Sequence, residues 1–96
     1  MEIRVYGELN VGKLRDKVDK VTAFLETGDF QSADVKKMSN GFYRAKLDYT
    51  NRLLFQIGRY DGEMYILILE VIHNHAYEKS KFLNFTVLLK VPVHFG

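Results

Sequence analysis

Cysteine and tryptophan are absent from this 96-residue chain, and proline occurs only once. The absence of cysteine excludes disulfides, cysteine-zinc sites and thiol nucleophiles, and it is typical of proteins from a reducing cytoplasm. No apolar segment of the signal-peptide kind stands at the amino terminus, and the longest apolar run, residues 64–72, is about half the length of a membrane-spanning helix. We therefore expect a soluble, cytoplasmic protein with no membrane contact.

An excess of either charge is also missing, because 14 Lys and Arg side chains oppose 12 Asp and Glu side chains, for a net charge of +2. The distribution of charge is nevertheless uneven. Residues 1–40 carry seven charges of each sign, whereas residues 41–59 carry four cations against one acid, a local net charge of +3. The four cations are Arg44, Lys46, Arg52 and Arg59. Such a patch indicates either a nucleic-acid-binding surface or a solvated sheet face.

The length of 96 residues fits one domain, and the spacing of its apolar residues predicts an α+β fold. Alternating or continuous apolar runs predict four strands, over residues 2–6, 42–47, 53–57 and 64–72. The last of these runs is apolar on both faces, so we expect it in the middle of the sheet. The dipeptide Asp61-Gly62 predicts a tight hairpin turn before it.

Two helices are predicted between the first and second strands. Apolar residues three and four apart predict an amphipathic helix over residues 11–25, capped by Asn10 and ended by Gly28. A second, short helix is expected over residues 32–38, with the hydroxyl of Ser32 as its cap. Together they would form an antiparallel helical hairpin, which must bury its apolar stripe against the sheet.

The predicted architecture is thus an N-terminal strand and a helical hairpin packed on a mostly antiparallel four-stranded sheet. A short C-terminal helix is expected over residues 75–83, followed by a tail or edge strand over residues 85–95. We expect residues 1–96 to form a single domain. Its core spans about residues 1–83, and residues 84–96 are an apolar C-terminal extension.

His73 and His75 are two residues apart, and His94 is remote from both. A spacing of two places both imidazoles on the same face of a strand, but no carboxylate pair or cysteine completes a metal site. The serines lack the context of an activated nucleophile, and the glycines do not form a phosphate-binding loop. We therefore expect a protein without a metal or cofactor.

The chemistry that these residue types suit best is metal-free cleavage of RNA. The 2′-hydroxyl attacks the neighbouring phosphate, which requires a base, cations that stabilise the developing charge, and an acid for the leaving oxygen. Arginine and lysine supply charge or the base, histidine titrates near neutral pH, and tyrosine stacks on a nucleobase or orients the attacking hydroxyl. The candidate catalytic residues are Arg44, Lys46, Arg52, His73, His75 and Tyr77, and the candidate RNA-binding residues are Arg59, Lys79 and Lys81. Taken singly, each also fits an ordinary position on a sheet surface or at a strand end.

Three features carry a resemblance to a known family. They are the predicted helical hairpin, the strands Gly41-Phe-Tyr-Arg-Ala-Lys46 and Asn51-Arg-Leu-Leu-Phe55, and a last core strand that ends at His73 with a tyrosine nearby. Over residues 11–83 this arrangement resembles the RelE/ParE toxin superfamily, whose members are small cytoplasmic proteins usually paired with an antitoxin. The resemblance implies a RelE-like α+β fold.

For the RelE branch, the resemblance implies ribosome-dependent cleavage of messenger RNA. The implied partners are a cognate antitoxin and messenger RNA on the ribosome, and a homodimer is an open alternative. Arg44 and Lys46 match the family's first cationic strand, and Arg52 matches its central arginine. His73 matches the terminal histidine, and Tyr77 matches the terminal tyrosine with a shift of one residue.

Two departures from the family pattern support alternative functions. Asn74 and His75 stand where the family carries basic residues, and the chain continues beyond the usual end of the family. One alternative is a non-catalytic RelE-like binding module, which could be a fragment of a larger, helicase-like protein. The other is a ParE-like toxin directed at DNA gyrase. The principal expectation remains a type II toxin that acts as an endoribonuclease on messenger RNA.

Overall fold

The structure is a computed structural model that describes residues 1–83. The tail or strand predicted over residues 85–95, and the 84–96 extension as a whole, lie outside the described residues. The elements in chain order are β1 (Glu2–Val5), α1 (Arg15–Glu26), β2 (Lys36–Lys37), β3 (Phe42–Lys46), β4 (Arg52–Tyr60) and β5 (Glu63–Ile72). Single 3-10 turns occupy Gly12–Leu14, Ser39–Gly41, His73–His75 and Tyr77–Lys79. Within residues 1–83, no helix is long and apolar enough to cross a membrane.

One five-stranded sheet, in the order β1-β5-β4-β3-β2, forms the centre of the described chain. Strands β2 to β5 pair antiparallel with their neighbours, and β1 joins the other side of β5 in parallel. β5 therefore lies between two strands, which confirms the position that its apolar sequence predicted. Asp61 and Gly62 form the predicted turn before it, with left-handed φ angles of 54° and 81°.

Helix α1 packs its apolar stripe on one face of the sheet. Val18, Val21 and Leu25 are buried there among the inward side chains of β3, β4 and β5. The predicted end of the helix is confirmed, because the N–H of Gly28 donates to the carbonyl of Leu25 and Gly28 adopts a φ of 77°. The start differs slightly, since a 3-10 turn over Gly12–Leu14 precedes the first α-helical residue.

The prediction of a second helix over residues 32–38 is wrong. Asp34 adopts a left-handed φ of 49°, and the N–H of Ser32 donates to Oδ1 of Asp29 in a local turn. Lys36–Lys37 pairs with β3 instead and adds an edge strand. A helix this short gains few internal hydrogen bonds for its nucleation cost, so strand pairing prevails. The α+β class is confirmed, but one helix replaces the hairpin on a sheet of five strands rather than four.

The segment after β5 covers the second face of the sheet. Four side chains form a buried cluster there, Phe42, Leu54, Leu69 and Ile72. Tyr6, which directly follows β1, packs against this cluster. Tyr77, Phe82 and Leu83 pack against it from the segment after β5. Both faces of β4 and β5 therefore contribute to a core, so the protein is layered on each side of its sheet.

The prediction of a continuous helix over residues 75–83 is wrong. Two 3-10 turns precede an extended Ser80, and helical geometry resumes at residues 81–83. Ser80 is 2% exposed, and its Oγ donates to Oε1 of Glu70 at 2.5 Å. The backbone N–H of Lys81 donates to Oε2 of the same carboxylate at 3.2 Å. This carboxylate holds the segment on the sheet, and these bonds favour a bent path over a regular helix.

Burial on both faces of β4 leads to a prediction about the stability of the protein. Leu53 faces the α1 side and Leu54 faces the C-terminal segment, and both are 0% exposed. We expect Leu53→Ala and Leu54→Ala each to lower the free energy of unfolding by about 2–5 kcal/mol, because each leaves a cavity in a packed cluster. Urea unfolding measures the change, and Arg59→Ala, an exposed change on the same strand, should stay within about 0.5 kcal/mol. A small effect of Leu54→Ala would contradict burial of the second face.

Candidate functional site

Three of the predicted catalytic cations lie on the face of the sheet opposite α1. Arg44 and Lys46 alternate with core residues along β3, and Arg52 opens β4. Lys46 and Arg52 are directly opposite each other in the strand register, so their side chains leave the same face as neighbours. Arg44 stands two residues along β3, opposite Leu54. The pairing of β3 with β4 therefore gathers three positive charges at one end of the sheet.

The turn from β3 to β4, residues 47–51, is organised by the side chain of Asp48. Its Oδ1 accepts the N–H groups of Thr50 at 3.0 Å and Asn51 at 2.8 Å, and its Oδ2 accepts Nζ of Lys17 at 2.7 Å. The Lys17 contact, followed by the Asn51 and Thr50 donors, holds the pKa of the Asp48 carboxyl well below its usual range. An ionised carboxylate therefore fixes this turn at neutral pH.

The same turn is joined to the turn that follows β5. The backbone N–H of His75 donates to the carbonyl of Thr50 at 3.0 Å, and the backbone N–H of Asn74 donates to Oδ1 of Asn51 at 3.1 Å. Asn74 and His75 adopt left-handed φ angles of 53° and 56°, a conformation in which both residue types are enriched. This junction holds the chain after β5 beside the cationic ends of β3 and β4.

His75 and Tyr77 reach the cations through this junction. Nε2 of His75 lies 3.0 Å from the carbonyl oxygen of Tyr49; because a carbonyl only accepts, Nε2 carries the hydrogen and Nδ1 is left for proton exchange. Nη1 of Arg44 donates to the Tyr77 hydroxyl at 2.8 Å, and the His75 and Tyr77 ring centroids are 6.5 Å apart. We call this group the sheet-face site; its members are Arg44, Lys46, Arg52, His75 and Tyr77.

Arg52 has a structural contact in addition to its charge. Its Nη1 donates to the backbone carbonyls of Asp48 and Asn51, the latter at 3.0 Å. The guanidinium therefore closes the 47–51 turn from the strand side, while Asp48 closes it from within. Loss of Arg52 would change the shape of the turn and the charge of the site together.

His73 and Lys81 do not join the sheet-face site. His73 is exposed and lines a surface depression of about 500 Å³ together with Glu8 and Lys81. Nζ of Lys81 lies 3.7 Å from a Glu8 carboxylate oxygen, which partly offsets its charge. The shared face that the spacing of two suggested for the histidines is lost, because both lie in a 3-10 turn rather than on a strand. Among residues 1–83, no group of three or more His, Asp or Glu side chains is placed to hold a metal ion.

Arg59 lies away from the three clustered cations. Strand alternation places Arg59 on the α1 side of β4, near the β4–β5 turn, more than about 20 Å along the strand from Arg52. Lys79 is exposed in the turn after Tyr77. RNA contacts by these two residues stay predictions.

Sequence reasoning missed Tyr49 and Asp48. Nζ of Lys46 lies 5.0 Å from the centroid of the Tyr49 ring, and Tyr49 is 86% exposed. The run Asp-Tyr-Thr-Asn over residues 48–51 does mark a turn, since aspartate and asparagine side chains accept nearby backbone hydrogens. Nothing in the sequence distinguishes Tyr49 from the other five of the six tyrosines.

The described fold, a five-stranded sheet with α1 on one face and the C-terminal segment on the other, has a counterpart among solved structures. Among solved structures, the YoeB/ParE toxin from Agrobacterium tumefaciens is similar to this chain, with a TM-score of 0.60 over 76% of this chain and 98% of that chain. The two sequences are 7% identical, so the comparison shows a shared fold. No family model matches the chain, and comparison with curated proteins finds no match. The fold that the sequence resemblance implied is confirmed.

The ionised Asp48 makes a prediction about acid stability. Because its pKa is lowered in the folded protein, its contribution to stability is present above the ordinary value of 3.8 and is lost as pH falls through the folded value. We expect Asp48→Asn to be less stable than the wild type at about pH 7, with a difference that shrinks below about pH 4. Urea unfolding over that range measures it.

Asp61→Asn is the matched control for this prediction, because asparagine suits the β4–β5 turn equally well. Its stability should follow the wild type across the whole range. A difference between Asp48→Asn and the wild type that stayed constant from neutral to acid pH would contradict the role of the ionised carboxylate.

Proposed function

We propose that this protein is the toxin of a type II toxin–antitoxin pair, which cleaves messenger RNA on the ribosome in the cytoplasm until a cognate antitoxin binds it. The observation that carries the proposal is the convergence of the sheet-face site, in which β3, β4 and the segment after β5 bring cations, an imidazole and a phenol together. The fold shared with a YoeB/ParE toxin supports the same class of protein.

In the proposed reaction, Lys46 removes the proton from a ribose 2′-hydroxyl, and that oxygen attacks the adjacent phosphorus. The new bond from the 2′-oxygen to phosphorus forms as the bond to the 5′-oxygen of the next nucleotide breaks. The products are a 2′,3′-cyclic phosphate and a 5′-hydroxyl end. For this step Lys46 reacts as the neutral amine. Its Nζ lies 5.0 Å from the centroid of the exposed Tyr49 ring, on the open side of the site where a substrate can reach it.

Arg44 and Arg52 supply positive charge to the phosphate oxygens. Negative charge accumulates on those oxygens in the transition state, and donors that are already fixed stabilise it without reorganisation. Arg44 is fixed by the Tyr77 hydroxyl, and Arg52 is fixed by the carbonyls of the 47–51 turn. Guanidinium groups are suited to this task because their planar donors match phosphate oxygens.

His75 is the proposed general acid. Its Nε2 is engaged by the Tyr49 carbonyl, so in the imidazolium form Nδ1 carries the proton that passes to the leaving 5′-oxygen. Tyr77, whose hydroxyl accepts from Arg44, is placed to orient the attacking ribose. Its ring, 6.5 Å from that of His75, offers a second surface to the substrate.

A binding module without catalytic activity is the second candidate function. Two observations favour it. First, Arg44 and Arg52 each donate hydrogen bonds to groups within the protein. Second, His73, the histidine that the family resemblance matched, lies outside the site. Such a module would bind nucleic acid with an affinity that falls as salt rises and would leave RNA intact, or would bind a protein target such as gyrase.

Lys46→Ala and Lys46→Arg separate the two candidates. If Lys46 is the base, both changes should lower the rate of cleavage about 10²–10⁴-fold, because arginine keeps the charge but cannot give up its proton. The measurement maps new RNA ends on translating ribosomes with purified protein, and growth arrest after induction in a bacterial host reports the same activity in cells. Lys13→Ala, an exposed lysine in the turn before α1, is the matched control.

The outcomes differ clearly. If Lys46→Arg were fully active and Lys46→Ala inactive, Lys46 would supply positive charge and would not be the base. Full activity of both would remove Lys46 from the reaction. Salt-dependent RNA binding by a wild type that cuts no RNA would replace the ribonuclease with the binding module.

A further inference from the structure

Tyr49 is the most exposed of the large apolar side chains in the described chain. It is 86% exposed, against 69% for Tyr60 and 55% for Val5. Tyr43, by contrast, stacks on Phe55 with a centroid separation of 5.6 Å and belongs to the core. A ring at the tip of a turn adds nothing to the core, and its contact with water is unfavourable. The position of Tyr49 therefore needs an explanation other than folding.

The backbone that carries this ring is firmly held. The carbonyl of Tyr49 accepts Nε2 of His75, and the carbonyl of Thr50 accepts the backbone N–H of the same histidine. Asp48, on the other side, binds the backbone of Thr50 and Asn51. The backbone on both sides of Tyr49 is therefore held by hydrogen bonds, so the ring projects from a fixed point at the rim of the sheet-face site.

The ring also lies beside a cation of the site. Nζ of Lys46 is 5.0 Å from the ring centroid, within the distance at which an ammonium group is attracted to an aromatic face. At 86% exposure, the rest of the ring is open to solvent. An open aromatic face next to a cation is the pairing that proteins use for single-stranded nucleic acid, where a base stacks and its phosphate meets the charge.

We propose that Tyr49 is a base-contacting residue of the sheet-face site: an unpaired RNA base stacks on its ring while the adjoining ribose lies beside Lys46 and its phosphate lies against Arg52. The inference rests on the proposed function, because it takes RNA to be the molecule bound there. The contact requires an unpaired base, since a base within a duplex is already stacked and cannot reach the ring. The residue that makes it lies outside the predicted catalytic set.

Ribosomes programmed with a short messenger provide the test. Deoxyribose in the codon that the toxin cuts removes the attacking hydroxyl, so binding is measured without cleavage. One abasic nucleotide is then stepped through that codon, and the dissociation constant is measured for the wild type, Tyr49→Ala and Tyr49→Phe. Tyr60→Ala is the matched control, because Tyr60 is also an exposed tyrosine but ends β4 at the other end of the strand.

Tyr49→Ala should weaken binding roughly 5- to 150-fold, the range for loss of one stacked base. Tyr49→Phe should bind as the wild type does, because stacking uses the ring rather than the hydroxyl, and Tyr60→Ala should do the same. At one position, removal of the base should weaken the wild type and have no further effect on Tyr49→Ala. That loss of additivity marks a direct contact between the ring and that base.

Three results would overturn the inference and leave the proposed function standing. The first is that Tyr49→Ala binds with wild-type affinity, and the second is that each abasic position weakens the wild type and Tyr49→Ala equally. The third is a lowered melting temperature of Tyr49→Ala with binding restored at low temperature, which would make the role of the ring structural. A wild type that neither binds the programmed ribosomes nor cuts the all-ribose messenger would remove the proposed function, and the inference with it.

Discussion

The junction between the 47–51 turn and the turn after β5 is the contact on which the site depends. Two backbone N–H groups, of Asn74 and His75, donate into the first turn, to Oδ1 of Asn51 and the carbonyl of Thr50. The 47–51 turn is rigid enough to receive them because the Asp48 side chain accepts the backbone N–H groups of Thr50 and Asn51. Without this junction, β3 and β4 would present cations alone. With it, an imidazole and a phenol lie beside those cations at fixed distances.

The second constraint is burial on both faces of the sheet. The segment after β5 covers the apolar part of the second face and is held there by the bond from Ser80 to the Glu70 carboxylate. The cationic positions lie where that cover ends, so they remain partly open to solvent while their neighbours are buried. Arg44 and Arg52 then serve two purposes: each binds a neighbouring group of the protein and each contributes charge. Preorganised charge of this kind is obtained only when the fold itself supplies the partners.

Much of the fold was predictable because the relevant signals are local. The helical period of α1 with its terminal Gly28, the Asp61-Gly62 turn, and the two-sided apolar run of β5 all depend on residues close in sequence. The second helix failed because the competing interaction is not local. Lys36–Lys37 pairs with β3 only after β3 has joined the sheet, and no pattern within residues 32–38 reports that partner.

The site divides in the same way. Alternation along β3 and the opening of β4 were enough to place Arg44, Lys46 and Arg52 on one face, because successive strand residues point to opposite sides. Only the tertiary structure decided that His75 rather than His73 joins them, and that the Tyr49 ring lies beside Lys46. The reason is physical: His75 is selected by a hydrogen bond to the Tyr49 carbonyl, 26 residues away, and by left-handed backbone angles that a sequence pattern does not specify.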